Sequence, residues 1–263
     1  MQEEIKIMDV RFNNVSMDEA IEFIFSNYKK GYICTPNPEM LLEAQKNPQF
    51  LQVLNNSLLN IADGIGILWA VTQIHNKNSK LKGLLELPFI ALAPNRFKKV
   101  LKQRVTGTDL LQKICLKCSK TQTRVFFLGA AEGIAEKAAQ KLTKTYPGLK
   151  VAGTYAGSPA LSEKSKIIEM INKTDAEILF VAYGAPKQEI WISETIHKLN
   201  KIKIAIGIGG AFDFIAGKRK RAPKWMQKLG LEWLFRLIQQ PSRIKRIYNA
   251  TVKFPIEVIK TLK

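Results

Sequence analysis

From residue 5 to residue 207 the chain alternates short β-rich runs with amphipathic helical stretches, and this rhythm restricts the fold more than any other property. Residues 5–10, 32–35, 58–62, 123–128, 149–153, 177–182 and 203–207 read as strands. Helical patterns occupy 16–30, the stretches after Pro38, and 130–145, 162–172 and 186–199. Ser16 and Glu19 have the spacing of a capping box at the first helix. Strands that alternate with helices predict an α/β fold, a mostly parallel, Rossmann-like sheet with helices on both faces.

Beyond Gly210 the strand signals stop, and helices punctuated by Pro223, Pro241 and Pro255 follow. The expected organisation is an α/β body over 1–215 and a helical, basic appendage over 216–263. One segment breaks the rhythm: residues 81–94 are strongly apolar, with Pro88 and Pro94, and basic residues follow at once. The segment is too short to span a bilayer. It is expected to be a buried loop, with a shallow membrane-touching hairpin as the alternative.

Charge narrows the partners. The formal net charge is +19, and residues 217–263 alone hold thirteen Lys and Arg against Glu232 and Glu257. Such an excess calls for an anionic partner. In the tail the charges alternate with Trp225, Met226, Leu229, Trp233, Phe235 and Ile238, the composition of a surface that lies on an anionic membrane rather than of a purely solvated face. The start of the chain lacks the form of a secretory signal, and no run of about eighteen uncharged apolar residues is present. Peripheral attachment to the inner face of the plasma membrane, from the cytoplasm, is the expectation. Cys34, Cys115 and Cys118 are too few for a disulfide framework, and the C-x-x-C at 115–118 has no second pair or nearby histidine to complete a zinc site.

Four strand-end constellations carry polar chemistry. Thr35-Pro36-Asn37-Pro38 follows the strand at 32–35, where open α/β sheets bind ligands; Asn37 is equally suited to cap a helix that starts at Pro38. Asp63, between Ala62 and Gly64, sits where a general base can take a proton from an attacking hydroxyl if burial raises its pKa. The competing role is again a helix cap. Glycine turns at Gly129 to Gly133 and Gly207 to Gly210, the latter followed by Asp213, offer backbone N–H groups to phosphate. Neither has the dinucleotide or P-loop pattern. Gly184 opens a fourth turn, with Lys187 adding charge and Gln188 placed to hydrogen-bond a sugar or phosphate. None of the six aspartates forms a D-x-D pair, so a diphosphate leaving group would be neutralised by cationic side chains and backbone dipoles.

Taken together, the runs TPNPEM (35–40), ADGIG (62–66), RVTGTDL (104–110), FFLGAAEG (126–133), GAPKQE (184–189) and the long run 208–237 closely resemble the WecG/TagA/CpsF family of bacterial glycosyltransferases. The resemblance spans nearly the whole chain. It implies an inverting, metal-independent transfer, with no cofactor, from a UDP-sugar donor carrying N-acetylmannosamine or its uronic acid. The acceptor it implies is N-acetylglucosamine on a polyprenyl (undecaprenyl) diphosphate.

By the same resemblance Asp63 is the base, and Thr35 and Asn37 lie near the acceptor sugar. Arg104 and Gln188 line the same pocket. Gly129, Gly184, Gly209, Gly210 and Asp213 belong to the nucleotide side. Arg236, Arg243 and Arg246 lie in the appendage, which the resemblance describes as closing over the site and touching the membrane. Residues 76–95 depart from the family pattern by being longer and more apolar. Other UDP-hexoses, the polymer built (teichoic-acid linkage, enterobacterial-type antigen or capsule) and a homo-oligomeric state stay open. Two rival classes fit less of the chain. A nucleic-acid-binding protein would use the charge but leave the strand-end motifs idle, so no nucleic-acid partner is expected. A non-catalytic membrane scaffold would explain only the tail.

Overall fold

The structure, a computed structural model, describes residues 4–26 and 29–263, with the side chains of Glu4, Ala91 and Lys98 excepted. The body is a six-stranded parallel sheet: β3 (Gly31–Cys34), β4 (Leu59–Asn60), β5 (Arg124–Gly129), β6 (Lys150–Tyr155), β7 (Ile178–Ala182) and β8 (Ile204–Gly207). Their spatial order is β4-β3-β8-β7-β5-β6, with register set by pairs such as Ile33 with Ile206 and Phe127 with Phe180. Successive side chains point to opposite faces, and the strands supply two separate cores accordingly. Phe126, Leu128, Leu179, Val181 and Ala205 face one; Val125, Phe127, Ile178, Phe180, Ile204 and Ile206 face the other. Both faces are therefore buried, as a parallel sheet requires.

The α/β prediction holds, and the differences are local. The strand expected at 5–10 is a hairpin, β1 (Glu4–Ile7) with β2 (Val10–Asn13), turning through Met8 and Asp9 at positive φ. Its apolar positions pack on the first core, and the sequence lacks the Asn-Gly signal that marks such turns. Helix Met17–Ser26 has the expected box: the Ser16 N–H donates to Glu19 Oε2 at 2.7 Å and the Glu19 N–H to Ser16 Oγ at 3.2 Å. The helix was expected to run to residue 30; Asn27 and Tyr28 lie outside the described residues, as does the acidic start at 1–3. Cys115 and Cys118 are buried free thiols on helix Gly107–Thr121.

Residues 81–94 overturn the buried-loop expectation. They form helices Lys80–Leu85 and Phe89–Leu92, with Leu81, Leu84, Leu85 and Leu92 exposed. The first helix is held by helix Phe254–Thr261, with only Gly83 of it buried, while Leu87, Phe89 and Ile90 pack partly buried against the first core.

After helix Ala211–Ala216, Gly217 at φ +80° turns the chain out of the body. The appendage comprises Lys224–Lys228, Glu232–Gln239 and a run from Ile244 to Thr261, interrupted by a π-helical turn at Asn249–Lys253. It has no separate core: Phe254 and Val258 enter the first core of the body. Among the described residues no helix is long and apolar enough to cross a membrane.

Candidate active site

In a parallel sheet all strands end on the same edge, so loops scattered through the sequence converge there. The Asp63 N–H donates to Pro36 O at 3.0 Å and the Val105 N–H to Ala62 O at 3.0 Å, which ties the three loops 35–38, 61–64 and 104–106 together. The appendage covers them. Between the two lies a cavity of about 340 Å³ lined by Asn37, Asp63 and Arg104 from the body and by Trp233, Arg236, Arg243 and Arg246 from the appendage.

Asp63 is half-buried in that wall. It is not a helix cap: the following helix, Ile65–His75, is capped by Gly64 without any side-chain bond. Among the described residues nothing donates a hydrogen bond to its carboxylate. Burial is the largest influence on its proton, and it pushes the carboxyl up to about 6; Arg104 and Arg236 pull the other way, and Glu232 and Asp109 add to the rise. The glycines beside it do something other than admit a ligand. A Cβ on Gly64 would lie 3.3 Å from Pro38 Cδ, and one on Gly66 3.3 Å from Pro38 Cγ and 3.8 Å from the Phe254 ring. They let the loop after β3 and the appendage close against the Asp63 turn.

The other acids around the cavity are each paired. Glu232 meets Arg104 at 3.0 Å and Arg221 at 3.6 Å. Asp109 takes two bonds from Arg221, at 2.5 and 2.7 Å, and one from Thr106 at 2.7 Å; burial opposes its ionisation, but these bonds more than offset it and its pKa is lowered. Glu39 holds Arg246 through bonds of 2.9 Å to each oxygen. Arg236 lies over the Phe214 ring at 5.0 Å. That leaves Arg243. Burial first, then the nearby charges of Arg246, Arg236 and Arg219, bring its pKa down to about 10, with Glu39 acting against them. Arginines whose charges raise one another's energy form a ready site for a polyanion.

The structure does not bring every predicted residue into this cavity. Asn37 lines it and also caps helix Pro38–Ala44, its Oδ1 accepting from the Met40 N–H at 3.1 Å. Thr35 is buried and outside the lining. Gln188, predicted to line the same pocket, is also buried outside it. Its Oε1 accepts from the Gly184 N–H at 3.0 Å and the Gly209 N–H at 3.1 Å, and its Nε2 donates to Glu189 Oε1 at 2.7 Å. Gln188 thus staples the loops after β7 and β8, and two glycine N–H groups expected to meet phosphate are already occupied. Gly129 at φ +102° is needed because a Cβ there would come within 2.8 Å of the Ala182 backbone. Gly210 and Asp213 sit at the end of β8, with Asp213 Oδ2 3.5 Å from Arg219.

Sequence reasoning passed over Glu232, Arg221 and Glu39, which position the cations. Glu232 was detectable as one of only two acids in 217–263.

The chain as a whole is similar to known proteins. The model of the glycosyl transferase WecG/TagA/CpsF family covers residues 5–84 and 89–263. The chain belongs to this family. It is a glycosyltransferase. Among its relatives, an N-acetylglucosaminyldiphosphoundecaprenol N-acetyl-beta-D-mannosaminyltransferase of Bacillus subtilis is 30% identical over 261 residues, 98% of this chain and 91% of the relative. One of the same description from Bacillus spizizenii is 30% identical over 241 residues, 91% of this chain and 83% of that relative. The gap in the family match, residues 85–88, falls in the apolar segment.

Proposed function

We propose that this transferase moves N-acetylmannosamine, or its uronic acid, from UDP to N-acetylglucosamine on an undecaprenyl diphosphate, at the cytoplasmic face of the membrane. The observation that carries this reading is the cavity itself: Asp63, without a hydrogen-bonding partner, faces Arg236, Arg243 and Arg246. A carboxylate with a pKa near 6 is ionised at neutral pH, yet takes up a proton more readily than an ordinary one. The acceptor hydroxyl attacks the anomeric carbon from the face opposite UDP, and its proton passes to Asp63. The bond from that carbon to the diphosphate oxygen breaks, and the electron pair leaves with UDP. Attack opposite the leaving group inverts the anomeric centre.

Both substrates carry a diphosphate, and the arginines meet that charge across the cavity. No step needs a metal ion in this scheme. On the donor side Gly210 and Asp213 are the residues proposed to meet the nucleoside. Asn37 is placed for the acceptor sugar, while Gln188 acts from behind by holding the loops after β7 and β8 together. The names of the Bacillus relatives supply the donor and acceptor classes.

The deciding experiment is release of UDP from UDP-N-acetylmannosamine with a lipid-diphosphate-linked N-acetylglucosamine, in EDTA, for the wild type and Asp63→Asn. Turnover by the wild type alone supports base, donor and metal independence together. Turnover that EDTA abolishes removes the metal-free scheme, and equal turnover by the variant removes Asp63 as base.

A further inference from the structure

Helix Lys80–Leu85 is oriented against the usual rule for a helix in water. Leu81, Leu84 and Leu85 have the i, i+3, i+4 spacing of a single face, and that face points outward: they are 67%, 55% and 63% exposed. The inward face is Gly83, set so close to the C-terminal helix that a Cβ would lie 2.8 Å from Leu262 Cδ1. The Lys80 N–H donates to the Lys263 carbonyl at 3.0 Å, and Ser79 caps the helix through the Lys82 N–H. The helix is therefore firmly seated with its leucines out. Leu92, on the next helix, is 74% exposed. Between these leucines the chain dips inward, and Leu87, Pro88 and Ile90 form part of the cavity wall. One short segment thus supplies both an apolar wall of the cavity and an apolar rim outside it.

The surroundings identify what covers the rim. Residues 76–102 hold seven Lys and Arg and a single acid, Glu86, which accepts from Gln73 and lies 3.6 Å from Arg96. Leucines ringed by cations suit the hydrocarbon and headgroups of an anionic leaflet. Pairing with a second copy through the same face would bring the two sets of cations together. The tip, residues 85–88, falls outside the match to the family model.

We infer that the outward face of Leu81, Leu84, Leu85 and Leu92 inserts shallowly into an anionic bilayer and sets the cavity mouth at headgroup level. The inference rests on the lipid-linked acceptor proposed above. A diphosphate at headgroup level then meets the arginines, while the first hydrocarbon units of its lipid lie along Leu87, Pro88 and Ile90.

The test is flotation of the full chain with phosphatidylglycerol–phosphatidylcholine vesicles, for the wild type and Leu84→Glu/Leu85→Glu. Partition is expected to fall roughly tenfold or more, because two leucines lose their burial and two negative charges meet the leaflet. Turnover on a short-chain, water-soluble acceptor is expected to stay unchanged. A second variant, Leu84→Cys labelled with an environment-sensitive dye, reports insertion directly, since the native thiols are buried; its emission should shift blue on vesicles. Unaltered partition, an unshifted dye, or a wild type that self-associates through this face without lipid would each overturn the inference. If neither protein turned over the soluble acceptor, the reaction proposed above would be in question, and flotation would still decide the rim.

Discussion

The body and the appendage are held together by different forces. In the body, β7 is buried along its whole length between two apolar cores. In the appendage, helix Glu232–Gln239 has no buried residue at all. Besides the anchor at Phe254 and Val258, polar ties fasten the appendage: Arg104 to Glu232, Arg221 to Asp109 and Arg246 to Glu39. The Arg221–Asp109 and Arg246–Glu39 pairs keep enough solvent contact to contribute only about 0–1 kcal/mol each, while Arg104–Glu232 is mostly buried. The contrast separates two tasks. The body holds Asp63 and the appendage brings the cations, a division suited to the proposed reaction, in which the site admits a lipid-linked substrate and then excludes water.

The largest effect should come from the fixed side. Asp63→Asn is expected to lower turnover about 10²- to 10⁴-fold in the UDP-release assay while leaving the far-UV spectrum unchanged. A smaller loss would mean that the appendage, rather than the body, carries most of the chemistry. Next is Arg243, which makes no ion pair among the described residues: Arg243→Ala should cost about 10²-fold in kcat/KM, with Arg243→Lys recovering part of it, because a point charge replaces a fork of donors. An unchanged kcat/KM would remove Arg243 from the site.

The pH dependence sharpens the comparison. Below pH 6 kcat/KM should rise about tenfold per unit and level off above it, as Asp63 loses its proton. The same shift has a sign for stability. The folded state holds this proton more tightly than the unfolded chain, so the stability it contributes is complete below about 4 and is lost as pH rises through about 6. Asp63→Asn should therefore melt at a higher temperature than the wild type at pH 8 and at a similar one at pH 4. Equal melting at pH 8 would show that the folded state does not raise the pKa of Asp63.

The smallest effect belongs to the ties. Asp109→Asn removes two bonds to Arg221 and should destabilise by about 0.5–1 kcal/mol in urea titration, with a few-fold rise in the KM of the lipid acceptor. A loss of several kcal/mol would mean that the appendage is welded to the body by charge.

The body was legible because its signals are periodic: β-rich runs flanked by glycine and amphipathic helices with apolar stripes placed most of the parallel strands. The hairpin at Met8 and Asp9 was not: Met is rare at positive φ, and Asp9, which tolerates it, is followed by Val10 instead of the glycine that marks such turns. Residues 81–94 misled because a string of leucines looks the same whether it is buried or exposed; the close packing of Gly83 on Leu262 turns those leucines outward. Asp63 and the three appendage arginines converge on one cavity. For Gln188 the motif was visible, but whether its amide faces a ligand or two loops depends on groups twenty-one residues away at Gly209. Pairwise charge matching, as in Glu232 with Arg104, is a property of the folded surface and leaves no periodic trace.

The π-helical turn at Asn249–Lys253 carries a consequence for insertions and deletions. Such a turn accommodates one residue more than a regular helix does, and each residue turns the helix by about 100°. Upstream of it Arg243, Arg246 and Ile247 face the cavity; downstream, Phe254 and Val258 face the core. Loss of a single codon here would restore an uninterrupted helix and swing the cations away from the cavity while the anchor stayed seated. Most surface helices tolerate many replacements and resist only gross disruption. This one is sensitive to its count of residues, and lineages that alter the count would change what the appendage presents without changing a single charge.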